Sequence, residues 1–593
     1  MTDRTRDSDD HAPVIRLFSS AAVLARDGCP THRRTRADHA LRRDPALRPP
    51  PLADSPLVLL DAVLDLVEHR GLTVADACSR LPAPGRRSTD VMGELVVPPH
   101  GGLLTWVRHA ARAYLGGLAG DGARDGLVRV PVPDFWVRQY MPDRGSSHSR
   151  PYEVCARGRG YAYRDGEHRV RELRVPVLGP AGDRRLADAE VAVAAYVLAT
   201  GAGVDRDVYA SRPGRYRNGV PYPMRGRHGG PAADREPPDR VRVVQGSCLD
   251  SSTAVLYDAT AAEAGEFFDA AGREGLRSAL VGGARSPGPD CLSCGVRSGC
   301  GRLPAAPGLL GVHDRSRPRR SWSVAEGLRF RGCPARNHFH SLGLPGDPPE
   351  NSVSGEPAAS HRDGAVRAWL RRLHGRQPRR ACGPEDLPGD RGSWSAGGRT
   401  LSGGEARRGA AMIAAHIGVC PLGGLRSGGH VRVGRTVAAD DTRADVLVLA
   451  RPDLLHHRGG SWCYRDVRTA TADLPSDEHG LMDREPALAL AVLLFASGAL
   501  PLEAGSAVEL EVLTPDGAHV RSIDPGADGV RAGARQVVHA LAEPWHRDLR
   551  HPPTPGGVCR DCPYLRWCPA TVGGASRERG PEERARGPAP PGR

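Results

Sequence analysis

Six of the fourteen cysteines stand in two runs with the same spacing, C-x2-C-x5-C: "CLSCGVRSGC" at 291–300 and "CRDCPYLRWC" at 559–568. Thiolates in such runs hold zinc or an iron–sulfur cluster, and four are needed, so each run lacks one sulfur. A second echo offers it. "SSAAVLARDGCP" carries Cys29 and "SVAEGLRFRGCP" carries Cys333, each ten residues after a serine and each inside Gly-Cys-Pro. The order is therefore one cysteine, a long insert and a triple, stated twice. Reduced buried thiols or zinc knuckles are the plainer readings. The other six cysteines lack ligand spacing and are expected to be small core residues.

A third echo lies between the cysteines. "ARGRGYAYRDGEHRVRELRV" (156–175) aligns without gaps to "ARPDLLHHRGGSWCYRDVRT" (450–469), which sets Glu172 against Asp466 and Arg159 against Asp453. Downstream, "AAYVLATGA" (194–202) resembles "AVLLFASGA" (491–499). Echoes in one order make a tandem repeat: residues 14–310, then 318–575, joined by the basic "HDRSRPRR" at 313–320, with a disordered basic, Pro-rich tail at 576–593. Segments 204–240 and 341–363 read as loops.

Each repeat reads as α/β. "ADVLVLARPDLLHH" and "CYRDVRT" read as two strands joined by "RGG", with the first alternating around Asp453. "VRVVQGSCLD" with "STAVLYDAT" is a strand pair in repeat one, and "AVELEVLTPDG" is its counterpart in repeat two. Helices are expected at 55–70, 105–115, 363–376 and 486–500. The uncharged stretch 486–502 is short for a membrane span and closes on Pro501, so a buried helix is expected.

The net charge is +13, and because the chain contains no lysine, all 82 basic residues are arginine. A GC-rich codon bias explains that composition. It also leaves a surface suited to bidentate phosphate contacts and an anionic partner. The polar start, "MTDRTRDSDDHAP", has no apolar core of an export signal. A reducing cytoplasm is then expected, where disulfides are disfavoured and clustered thiols serve metal or cluster binding.

One cysteine far ahead of three, combined with "RPDLL…YRDVRT", resembles the PD-(D/E)XK nuclease superfamily, in particular its RecB-like branch with an iron–sulfur cysteine cluster. The resemblance covers nearly all of repeat two, including "LRFRGCPARNHFHSLGLP", and repeat one more weakly. It implies two tandem PD-(D/E)XK-like domains, each a small mixed sheet flanked by helices and closed by a four-cysteine cluster. It implies one 4Fe–4S cluster on Cys333, Cys559, Cys562 and Cys568, and a second on Cys29, Cys291, Cys294 and Cys300. The reaction of that superfamily is metal-dependent phosphodiester hydrolysis. The matching positions are Asp453 and Asp466 as ligands of Mg²⁺ or Mn²⁺, with Arg468 where the family has a lysine. The helical histidine of RecB-like relatives maps to Arg367, and the family's Gln-x3-Tyr is absent from "EPALALAVLLF". In repeat one the triplet is Glu172-Leu173-Arg174, and Arg159 replaces the other ligand, so that copy is expected to be non-catalytic. Asp134 is the alternative ligand there.

The leading expectation is a cytoplasmic, DNA-acting nuclease-like protein of repair, recombination or defence, acting on single strands or duplex ends. Its alternatives are a catalytically inactive DNA-binding scaffold partnering a helicase or defence complex, and a zinc-ribbon structural protein. His374, His416, His456 and His457 are candidate ligands without supporting spacing. No G-x-S-x-G or G-x4-GK[ST] is present.

Overall fold

A computed structural model describes the chain from residue 11 to 571, except 13, 26–27, 39–40, 42–54, 82–98, 141–150, 207–208, 210–215, 218–236, 348–357, 425–429 and 470–474. The expected tail and most of the expected loop at 204–240 lie outside the described residues. The expected loop at 341–363 is partly helical, since its last residues open a helix.

The first half runs β1 (Ile15–Phe18), α1 (Pro30–Ala37), α2 (Pro56–Arg70), α3 (Gly101–Asp125), β2 (Val130–Pro131), β3 (Asp134–Tyr140), β4 (Tyr152–Cys155), β5 (Arg159–Asp165), β6 (His168–Val177), α4 (Asp188–Thr200), β7 (Ala202–Asp205), β8 (Arg240–Ser247) and β9 (Thr253–Thr260). The second half runs β10 (Arg320–Trp322), α5 (Val324–Gly332), α6 (Pro334–Ser341), α7 (Ala358–His374), α8 (Gly403–Ile417), β11 (Val431–Val433), β12 (Val437–Asp441), β13 (Val446–Ala450), β14 (Leu454–Arg458), β15 (Ser461–Thr469), α9 (Pro486–Ala496), β16 (Ala507–Thr514), β17 (Gly517–Ile523) and α10 (Asp528–Arg547).

The two halves share one topology. The larger sheets have orders β9-β8-β6-β5-β2 and β17-β16-β15-β14-β11. In each, one parallel pair (β8 with β6, β16 with β15) is bridged by a crossover helix, and the other pairings are antiparallel. The smaller sheets, β1-β4-β3-β7 and β10-β13-β12, each join their first strand in parallel. The crossover helices α4 and α9 are apolar on nearly every face. Leu488 through Phe495 are all buried, which is the burial demanded of a helix with no polar side. It is a core helix, as expected, and among the described residues no helix is long and apolar enough to cross a membrane.

Pro452 shapes the second half. Lacking an N–H, it ends the ladder of β13, and the chain passes from the smaller sheet to the larger. The single strand expected across 444–457 is therefore two strands in two sheets, with Asp453 at the junction.

The halves interlock. The face of α2 and α3 packs Leu60, Trp106, Ala110 and Tyr114 into one cluster with Cys333, Phe339, Tyr564 and Trp567. Conversely, Cys291 packs against Ala438 and Leu447 on β12 and β13. Ala306, Leu309, Leu310 and Val312 join the main core of the second half, ahead of the basic link. Their turn is pinned by Asp441, whose carboxylate accepts the N–H groups of Gly308 (2.8 Å) and Leu310 (2.9 Å).

Candidate functional site

β14 and β15 form a hairpin around Gly459 and Gly460, both at positive φ (60° and 95°), a conformation that glycine adopts without Cβ strain. Its register pairs Leu454 with Arg465, so Asp453 and Asp466 face each other at the open end. Both side chains are buried, and each is tied to the other's backbone. Asp453 N–H donates to Asp466 Oδ1 (3.3 Å), and Val467 N–H donates to Asp453 Oδ2 (2.9 Å).

Three arginines surround the pair. Arg367 Nε lies 3.2 and 3.0 Å from the two oxygens of Asp453, and Arg371 Nη2 lies 2.6 Å from Oδ1. The two arginines are one helical turn apart on α7. Arg468 reaches Asp466 at 3.9 Å and donates to Glu485 (3.1 Å) and to the carbonyl of Val467 (3.0 Å). Asp363, one turn ahead of Arg367, accepts from the Thr469 N–H at 2.9 Å. Burial pushes the Asp466 carboxyl up, and the neighbouring charge of Asp453 adds to this against the opposing pull of Arg468.

Among the described residues, the first half holds no such pair at the matching hairpin. Its hairpin turns at residues 166–167, between Asp165 and His168, whereas the second turns at 459–460, between Arg458 and Ser461. Matching the turns shifts the gapless alignment by one residue. Asp453 and Asp466 then correspond to Gly160 and Leu173, which are cross-strand partners. Leu173 packs in the apolar core with α4, and a Cβ on Gly160 would meet the Trp136 ring at 2.7 Å. An indole fills the space that carboxylates occupy in the second half. Glu172 lies on the opposite face, accepting from Arg129 (3.1 Å), Arg174 (2.5 Å) and Tyr163 (2.8 Å). Arg159 also points there, pairing with Asp65 (3.0 Å) and Glu68 of α2. The expected match of Glu172 to Asp466 and Arg159 to Asp453 is thus corrected, because one residue of slip exchanges the two faces of a strand. Asp134 sits opposite Asp205 in the smaller sheet, apart from Glu172.

Residues 321–569 match the family model of the PD-(D/E)XK nuclease superfamily. The match opens on β10 and closes one residue after Cys568. No curated protein matches the chain. Within the matched residues, the donor set around Asp453 does not fit a divalent ion as placed. Both Asp453 oxygens and the Val467 carbonyl already accept from guanidinium groups, so an ion would enter a cationic shell.

The cysteines converge as their spacing suggests. Cys29 and Cys333 are each the N-cap residue of a helix, with Pro30 and Pro334 at the first helical position, where a missing N–H costs nothing. Cys333, Cys559, Cys562 and Cys568 all line one cavity of about 220 Å³, closed by Phe339, Leu565 and Pro553. Burial raises the Cys562 and Cys568 thiols, with Cys333 contributing to both. In the first half, burial raises the Cys291 thiol, and Cys294, Cys300 and Cys29 add to the shift.

Apart from the cysteine quartets, two side-chain groups have ligand atoms all within 4.8 Å of one another: His374, Cys382, His416 and Cys420, and His456, Cys463 and Glu509. Three of these cysteines were expected to be plain core residues. His457 is partly exposed against Trp462, away from either group. The signal for the first group was available: each histidine closes a helix and is followed by a cysteine, as H-x7-C and H-x3-C. Arg371 was also missed, although its i+4 spacing from Arg367 places both on one face of α7.

Proposed function

We propose that the chain is a nuclease-like DNA-binding protein of the RecB-like PD-(D/E)XK type that holds DNA without hydrolysing it, a scaffold for a helicase or defence complex. The observation that carries this reading is the saturation of Asp453 by Arg367 and Arg371, with Arg468 beside Asp466. Where the superfamily presents carboxylates to a divalent metal, three guanidinium groups present positive charge instead. Arginine binds phosphate in a bidentate fork, so such a site favours the DNA backbone over the cation. The first half, with Gly160 and Leu173 at the matching positions, is read as a non-catalytic copy covering residues 14–310, and the second as residues 318–575.

Each cysteine quartet is read as the seat of a 4Fe–4S cluster. Cys333, Cys559, Cys562 and Cys568 border one shared cavity, which supports their acting as one ligand set. A second reading, metal-dependent cleavage by Asp453, Asp466 and Arg468, is favoured by the facing of the two carboxylates across one hairpin. Anaerobically purified protein incubated with labelled linear duplex and single-stranded DNA, with Mg²⁺ or Mn²⁺, decides between them. The scaffold reading expects salt-sensitive binding and intact DNA, with affinity held or raised in Asp466→Ala. Cleavage by the wild type that Asp466→Ala abolishes establishes the second reading instead.

A further inference from the structure

The group at the C-terminal ends of α7 and α8 has the composition and geometry of a metal site separate from both the carboxylate pair and the cysteine quartets. His374 is the last residue of α7, and His416 is the last but one of α8. Cys382 and Cys420 follow them in the next turns of chain. All four ligand atoms lie within 4.8 Å of one another, and only Cys420 is less than fully buried.

The spacings come close to those of a tetrahedron around one ion, with the histidine pair somewhat tighter. Zinc–nitrogen bonds of about 2.0–2.1 Å and zinc–sulfur bonds of about 2.3 Å imply ligand–ligand edges of about 3.3–3.8 Å. Here the two histidine Nε2 atoms stand 3.0 Å apart, and Cys420 Sγ stands 3.8 Å from His374 Nε2. The Cys382 N–H donates to Cys420 Sγ at 3.4 Å, a contact that stabilises a thiolate.

The supporting shell is equally specific. His416 Nδ1 lies 2.5 Å from Glu511 Oε1 on β16, and the other oxygen of Glu511 accepts from Arg465 at 3.1 Å. A carboxylate on the far nitrogen fixes the tautomer and aims Nε2 at the ion, as around bound zinc elsewhere. Glu511 and His416 are both fully buried. The two imidazole nitrogens and two thiols turn on one another in a dry pocket, an arrangement that brings four ligand atoms around one point where a cation can join them.

We propose that His374, Cys382, His416 and Cys420 form a structural zinc site. Two thiolates and two imidazoles in a closed tetrahedron suit zinc over the harder divalent ions. The ion ties the ends of α7 and α8 to the strand β16, and so fixes the helix that carries Arg367 and Arg371 against Asp453.

The test uses the full chain, purified without a histidine tag from zinc-supplemented medium, with metal content read by mass spectrometry and the zinc edge by X-ray absorption. Cys420→Ser and His416→Ala should each lose one equivalent of zinc relative to wild type, while Cys562→Ser keeps that equivalent. Cys382→His, which preserves four donors, should retain the ion with one sulfur and three nitrogens in place of two and two, so loss through misfolding is distinguishable from loss of a ligand. Equal zinc in wild type and Cys420→Ser overturns the proposal, as does a zinc edge showing sulfur alone. An intact mass two units low, mapping to a Cys382–Cys420 disulfide in the purified protein, overturns it as well.

Discussion

Removing both guanidinium groups from Asp453 should destabilise the second half by about 3–4 kcal/mol at neutral pH, the cost of orphaning a buried charge. In the Arg367→Ala/Arg371→Ala variant, Asp453 keeps only the Val467 N–H, and Asp466 stands opposite with Arg468 at 3.9 Å. Each arginine is partly exposed (22% and 29%), so either single change should cost less, about 1–2 kcal/mol. The penalty also has a ceiling. Protonating one carboxyl at pH 7, about three units above its ordinary value, costs about 4 kcal/mol, after which the pair shares a proton. That fixes the sign of the pH dependence. A carboxyl raised in the folded state contributes most below its unfolded pKa, and that contribution is lost as pH rises through the folded value. The double variant should therefore regain stability at pH 5.5 relative to pH 7.5. The assay is amide hydrogen exchange of residues 454–467 in the full chain, where the loss appears as about two to three powers of ten in protection. Added Mn²⁺ should restore protection in the double variant, and Asp453→Asn on that background should cancel the effect. Wild-type protection in the double variant, or an equal Mn²⁺ response in wild type, would refute the view that arginines occupy the cation's place.

Three other outcomes are expected. Anaerobic wild type should be brown, and Cys562→Ser should lose about half of its iron and sulfide on chemical analysis, as one of two clusters disappears. Glu172→Ala should leave DNA affinity unchanged but cost the first half about 3–5 kcal/mol in denaturant unfolding, since Arg129 and Arg174 lose a buried partner. Gly102→Ala drives a Cβ to 2.4 Å from Phe339 and 2.5 Å from the Trp567 carbonyl, and should cost about 1–3 kcal/mol with exchange protection falling on both α3 and residues 564–568.

The tandem plan was legible because the signals that announce it are local: Gly-Cys-Pro ahead of a helix, C-x2-C-x5-C, and an apolar crossover helix in each half. The facing of Asp453 and Asp466 followed from one hairpin with a glycine turn. What failed was register. Identities across "RELR" and "RDVR" favoured a gapless alignment, yet the turn sits one residue earlier in the second copy, and a period of two turns that single step into a change of face. Trp136 against Gly160 and Arg371 beside Arg367 depend on packing between elements, which spacing along the chain does not encode. The His-Cys quartet escaped for a related reason: its couples lie on separate helices whose ends meet only when α7 and α8 pack on β16.

The interlock between the halves bears on how the protein is made. The surface of α2 and α3 that receives Cys333, Phe339 and Trp567 is finished well before its partner residues leave the ribosome. At about 5–20 residues per second, the roughly 440 residues separating Asp125 from Trp567 take about 22–90 s to synthesise. For that interval the emerging chain displays Leu60, Trp106 and Tyr114 to solvent or to a chaperone. The two docking contacts also differ, one quartet resting on helices and the other on strands, so they are not copies of a single self-complementary patch. A gene fragment encoding either half alone would thus yield a protein with an uncovered apolar seam, and the arrival of Tyr564 and Trp567 becomes the event that seals a face built long before.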